Sequence, residues 1–132
     1  MPEMQASATP PTMLITTGRI GRTARPNEIV IDVTVKSGLK AFAPSWNIVM
    51  SYKNGTLSEK GYTERYYEMM RASWKSQRAA WQKLLDLGKS GKTIVLVCYC
   101  PRGDFCHRHL LASMLQACAR KQGITSEVLP EA

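Results

Sequence analysis

Three thiols, an imidazole, a carboxylate and two guanidinium groups fall within the segment Cys98–Arg108, which reads Cys-Tyr-Cys-Pro-Arg-Gly-Asp-Phe-Cys-His-Arg. Pro101 and Gly103 mark a tight loop, and Asp104 is a suitable N-cap, so Cys106, His107 and Arg108 are expected in a first helical turn. Free backbone N–H groups and the positive dipole end gather there, an environment that binds anions and stabilises a thiolate. Arg102, His107 and Arg108 add positive charge. Three readings of Cys106 follow from this setting. It can be a low-pKa nucleophile, with His107 moving protons. It can be a small buried hydrophobe, the common fate of a free cysteine. It can join a metal site with Cys98, Cys100 and His107. The last is not adopted, because Cys-x-Cys-x5-Cys-His is not a familiar zinc spacing and Cys98 ends a strand directed to the core. No metal ligand and no cofactor are expected. A phosphatase loop, Cys-x5-Arg, is disfavoured: the sixth residue after Cys98, Cys100 and Cys106 is Asp104, Cys106 and Ala112.

Other groups can serve a ligand. Gly18-Arg19-Ile20-Gly21-Arg22 can cradle a phosphate through Arg19 and Arg22, though it lacks the spacing and lysine of a nucleotide P-loop. Asp32 interrupts an apolar run and needs a partner, because an unpaired buried carboxylate is costly. It can pair with an arginine, orient a substrate hydroxyl or act as a base. Lys36 and Ser37 follow it, as ligand contacts or solvated loop residues. Tyr62, Tyr66, Tyr67 and Arg71 share a helix, where Tyr67 and Arg71 can stack on and clamp a base while Tyr66 is assigned to the core.

The elements that must hold these residues are legible. Thr12–Thr17 and Thr93–Cys98 read as strands. Glu28–Val35 is a near-continuous apolar run of the kind buried on both faces of a parallel sheet. Ser45 caps a short helix over Trp46–Tyr52, closed by Asn54-Gly55. Tyr66, Met70, Trp74, Trp81 and Leu85 trace a helical stripe through Thr63–Leu87, with a break possible at Ser73 or Ser76. A last helix buries Leu110, Leu111, Met114, Leu115 and Cys118 and ends at Gly123, before a strand over Thr125–Leu129. The order β-β-α-α-β-α-β predicts a single α/β domain: a mainly parallel sheet of about four strands flanked by helices. Ligands of such sheets sit beyond the carboxyl ends of the strands. Gly18–Arg22, Thr34–Ser37 and Tyr99–Arg108 all follow strand ends and are expected to converge.

The 132 residues suffice for one core but not two. Lysine and arginine number 18 against 10 acidic residues, and the net charge of +8 favours an anionic partner such as a nucleotide or nucleic acid. No apolar run has the length of a membrane span, and the first eleven residues read as a mobile tail without signal-peptide character. Cytoplasmic location and four reduced cysteines are therefore expected.

Ile31-Asp32-Val33-Thr34-Val35-Lys36-Ser37, Phe42-Ala43-Pro44-Ser45, Tyr62 to Tyr67 with Arg71, and Cys98-Tyr99-Cys100 through Phe105-Cys106-His107-Arg108 together resemble the DUF488 family, in its compact branch, from about residue 13 onward. Longer members carry Asp-Val-Arg where this chain has Asp32-Val33-Thr34, which leaves a place for an arginine from elsewhere, such as Arg71. The resemblance implies a Rossmann-like fold with the Asp strand beside the Cys-His-Arg loop, functional roles for Asp32, Lys36, Cys106, His107 and Arg108, and processing of nucleotides, NAD or ADP-ribose. The expectation is an enzyme with hydrolytic or glycosidic-bond chemistry on a phosphate-bearing, nucleotide-like substrate, with Arg19, Arg22, Lys36 and Arg108 on the phosphate. A non-catalytic nucleotide or ADP-ribose sensor and a nucleic-acid-binding protein are the alternatives.

Overall fold

The computed structural model describes residues 12–101 and 104–131; the expected tail and Arg102 lie outside the described residues. Strands β1 (Met13–Arg19), β2 (Glu28–Asp32), β3 (Thr93–Cys98) and β4 (Ser126–Val128) form one parallel sheet in the order β2-β3-β1-β4. Helices α1 (Trp46–Lys53), α2 (Glu59–Ser76) and α3 (Arg78–Lys89) connect β2 to β3, and α4 (His107–Lys121) connects β3 to β4. This is the expected single-domain, Rossmann-like α/β fold.

Both helical connections step in the same direction across the sheet. Right-handed crossovers then place their helices on one face. The core lies there: Met13 and Ile15 of β1 and Ile94, Leu96 and Cys98 of β3 pack with Trp81 and Leu85 of α3 and Leu111 and Leu115 of α4. Gly88 allows α3 to approach β1 closely, since a β-carbon there would stand 2.5 Å from the Met13 side chain. On the opposite face, a β-carbon at Gly18 would meet Arg22 Cδ at 2.9 Å and Val97 Cγ1 at 3.7 Å, so Arg22 lies across the back of the sheet.

Two expectations are corrected, and the break that the sequence allowed in the long helix is located. Glu28–Val35 is not a strand buried on both faces: β2 ends at Asp32, occupies a sheet edge beside β3 alone, and each of its residues is half-buried. An apolar run does not distinguish an edge strand from a central one. The long helix is two helices, broken at Gln77 (φ −126°, ψ 40°). The break lets Ser73 Oγ donate to the Ala41 carbonyl at 2.6 Å and accept the Trp81 indole N–H at 3.0 Å, so the stripe continues into the core after a change of direction. Finally, Asp104 does not cap the last helix; Cys106 does, in extended conformation and without a side-chain capping bond. Ser45 caps α1 as predicted, accepting from the Ile48 N–H. Past the end of α4, Gly123 takes the positive φ (73°) that stops a helix.

Candidate active site

The chain turns sharply after β2. Asp32 Oδ1 accepts the Thr34 N–H at 2.9 Å, and its Oδ2 accepts the Ser37 hydroxyl at 2.5 Å. Gly38 closes the turn, because a β-carbon there would lie 2.6 Å from the Asp32 carbonyl oxygen. Burial works to raise the Asp32 carboxyl, but the hydrogen bonds from Ser37 and Thr34 outweigh it and hold the group below the usual carboxylate range. Asp32 is thus a charged turn former, bonded to Ser37 and Thr34 rather than to an arginine. Its turn presents Thr34, Val35 and Lys36 to a cleft of about 870 Å³ beyond the strand ends.

The segment after β3 forms the floor of that cleft. The sulfurs of Cys98, Cys100 and Cys106 all lie within 4.8 Å of one another. Cys98 ends β3, Cys100 follows two residues on, and Cys106 returns beside them at the start of α4. Cys98 and Cys106 are buried and Cys100 is half-buried; all four cysteines of the chain are free thiols. His107, 3% exposed, shares a close contact between its Nε2 and the Val33 carbonyl at 2.5 Å. A carbonyl accepts only, so Nε2 carries the proton and Nδ1 is left as an acceptor. Nδ1 faces Cys106 Sγ at 3.7 Å and Cys98 Sγ at 4.0 Å. Burial lowers the His107 pKa and keeps the ring neutral, with the Val33 bond acting the other way.

Hydrogen bonding among the three thiols moves their proton affinities in opposite directions. Cys106 is pushed up by sharing its proton with Cys100 and Cys98 and by burial. Cys100 is pushed down, because the Cys106 and Cys98 thiols donate to it and Arg108 and His107 lie near.

The guanidinium groups expected on phosphate are engaged elsewhere. Arg108 is 0% exposed. It pairs with Glu131 through Nε (2.8 Å) and NH2 (3.2 Å) and donates to the carbonyls of Cys100 and Pro101, both at 3.1 Å. It therefore braces the cysteine loop from behind. Arg22 is bound in bidentate fashion by Glu28 at 2.6 and 3.0 Å, on the face away from the helices. Arg19 ends β1 and donates from Nε to the Tyr99 carbonyl at 3.3 Å, outside the cleft lining. Tyr67 and Arg71 are also absent from the lining, as is Ser37. Tyr66 is in the core as expected, its hydroxyl donating to the Phe42 carbonyl at 2.7 Å. Of the three loops expected to converge, those after β2 and β3 meet at the cleft; the loop after β1 does not line it.

The sequence reading missed the walls. Trp46 and Lys53 of α1, Tyr52 beside them, and Tyr99 and Phe105 flanking the thiols complete the lining. Tyr52, Tyr62 and Phe105 pack edge-on or tilted, with centroids 5.1 to 5.6 Å apart. Trp46 and Tyr99 are more than half exposed, and Lys36 Nζ lies 5.9 Å from the Trp46 ring centroid. A tryptophan at the first position of a short helix capped by Ser45 was the available signal.

Residues 6–119 match the family model DUF488-N3a, described as the active DUF488-N3 subclade. No curated protein and no solved structure matches the chain. The match spans most of the sequence, including the β2 turn, the aromatic walls and the thiol floor, and the chain belongs to the DUF488 family.

Proposed function

We propose that this protein is an enzyme that binds a nucleotide-like anion in the cleft and performs hydrolytic chemistry on it at the floor formed by Cys98, Cys100, Cys106 and His107. The observation that carries this reading is the juxtaposition of that polarisable floor with aromatic walls and two lysines in one cavity. At about 870 Å³ the cleft has the size of a small-molecule site. Exposed Trp46 and Tyr99 offer faces on which a planar ring can stack. Among the described residues, Lys36 and Lys53 are the lysine and arginine side chains that line the cleft.

The test is calorimetric titration with mononucleotides, NAD and ADP-ribose, followed by chromatography of the incubated mixtures. Saturable binding and a new product are expected. Replacing Lys36 and Lys53 together by alanine should weaken binding roughly tenfold, about 1.4 kcal/mol. Binding without product would replace the enzyme by a sensing module. If only nucleic acid binds, with affinity falling steeply as salt rises, the basic surface is the functional feature and the cleft reading fails.

A further inference from the structure

The three sulfurs at the cleft floor have a use that goes beyond the nucleotide reading and does not depend on it. We propose that Cys98, Cys100 and Cys106 are the protein ligands of a thiophilic divalent ion of the zinc class, with the fourth coordination position open to the cleft.

The argument is geometric. Tetrahedral zinc with Zn–S bonds of ~2.3 Å needs sulfurs ~3.8 Å apart. The three sulfurs lie within 4.8 Å of one another, so side-chain adjustments of less than about an ångström would close the site. Each ligand is held by a different part of the fold: Cys98 by the central strand, Cys106 by the start of α4, and Cys100 by the loop whose carbonyl Arg108 grips. Such a site is set by tertiary structure and has no reason to follow a short zinc-finger spacing. All three cysteines line the cleft, so the ion would meet whatever enters it.

The surroundings fit a metal better than they fit three spare thiols. Three buried or half-buried cysteines could fill this volume as hydrophobes, but then nothing requires their sulfurs to converge. Val33 holds the His107 ring with Nδ1 toward Cys106 and Cys98, as a backbone carbonyl orients an imidazole beside a metal site. The compact group is the three sulfurs, with His107 at its margin. Nδ1 is thereby placed to accept a hydrogen bond from a water on the ion. Binding exchanges the thiol protons for the ion and releases them to solvent, leaving a thiolate-bound dication of net charge −1 beside buried Arg108. An open zinc position acidifies bound water, which is the nucleophile a hydrolytic site needs.

The test uses full-length protein reduced and freed of metal by chelator, then titrated with Zn²⁺ and, separately, Co²⁺. One ion per chain is expected by native mass spectrometry, with loss of three reactive thiols and the visible bands of tetrahedral, thiolate-bound cobalt. Adding azide to the cobalt form should shift those bands, because one position is open. Cys106→Ser should abolish stoichiometric binding; His107→Gln should keep one ion per chain. If Cys106→Ser does not fold, the wild-type titration decides alone. No ion bound, or a two-hydrogen mass loss marking a disulfide among the three cysteines in reduced, zinc-treated protein, would overturn the proposal. Loss of the ion in His107→Gln, or cobalt bands indifferent to azide, would overturn the open site in favour of a closed one. Zinc binding without nucleotide turnover would leave this inference standing and sink only the enzyme reading.

Discussion

Arg108 shows how far a side chain's role depends on what surrounds it. In the sequence it is the last residue of a Cys-His-Arg run and a natural phosphate ligand. In the structure it is wholly buried, and its donors are taken by Glu131 and the carbonyls of Cys100 and Pro101. Burial works against the charge, but the Glu131 carboxylate more than compensates and raises the Arg108 pKa. Arg108→Met would remove the buried ion pair with Glu131 and the donors to two carbonyls at once. A loss of about 3 kcal/mol in urea-monitored unfolding is expected, as for breaking a buried ion pair. Arg108→Lys should recover only part of it, since an ammonium cannot reproduce the planar fork. If Arg108→Met is as stable as the parent and fails only in ligand binding, the bracing role is wrong. Asp32 makes the same point: its carboxylate was legible as needing a partner, but only the folded turn identified Ser37 and the Thr34 amide.

Among the elements, the α2–α3 junction is where local pattern and tertiary structure part company. A continuous stripe of aromatic and aliphatic residues fits one helix, and nothing in its period requires a break. The break occurs because Ser73 joins the Ala41 carbonyl to the Trp81 indole inside the core. Trp81 is fully buried, with its ring 5.0 Å from Phe42 and 5.8 Å from Trp74. Ser73→Ala would leave both a carbonyl and an indole N–H without this partner. The expected destabilisation is about 2 kcal/mol, read from denaturant midpoints, with near-ultraviolet circular dichroism of Trp81 changed as well. An unchanged midpoint would mean that water or a shift of the helices satisfies both groups. The same junction shapes the cleft, since α2 carries Tyr62 and Glu59 to its lining while α3 anchors the sheet.

For the molecule as a whole, a single sheet covered by helices on one face leaves the back of the sheet to shorter segments. The β1–β2 connection is fixed there by the Arg22–Glu28 pair. The Arg22 guanidinium beside it and the Arg25 backbone N–H pull the Glu28 carboxyl down to about 2 from an ordinary value of 4.5. A depressed carboxylate contributes stability above its unfolded value and loses it as pH falls through the folded one. The thermal midpoint should therefore fall between about pH 4.5 and pH 2. Glu28→Gln should flatten that limb and lower the neutral-pH midpoint slightly. Identical acid limbs in the two proteins would show that the pair is inconsequential. Among the described residues, no helix is long and apolar enough to cross a membrane.

The sequence by itself determined the class of fold, the strands β1 and β3, the cap of α1, the end of α4 and the segment that lines the cleft floor. These follow from signals carried within a few residues: alternation or runs of apolar side chains, capping residues, and glycine at a positive φ. It also placed Cys106 and His107 at the carboxyl edge of the sheet, because a strand-to-helix loop in a parallel sheet has only one place to go. The tertiary structure alone decided that β2 is an edge strand, that Arg22 and Arg108 spend their charge on Glu28 and Glu131, and that Lys36 and Lys53 flank the cleft instead. It alone brought Cys98, Cys100 and Cys106 into one group. Which charges pair and which sulfurs meet depends on contacts between residues distant along the chain, and local pattern carries no record of those distances.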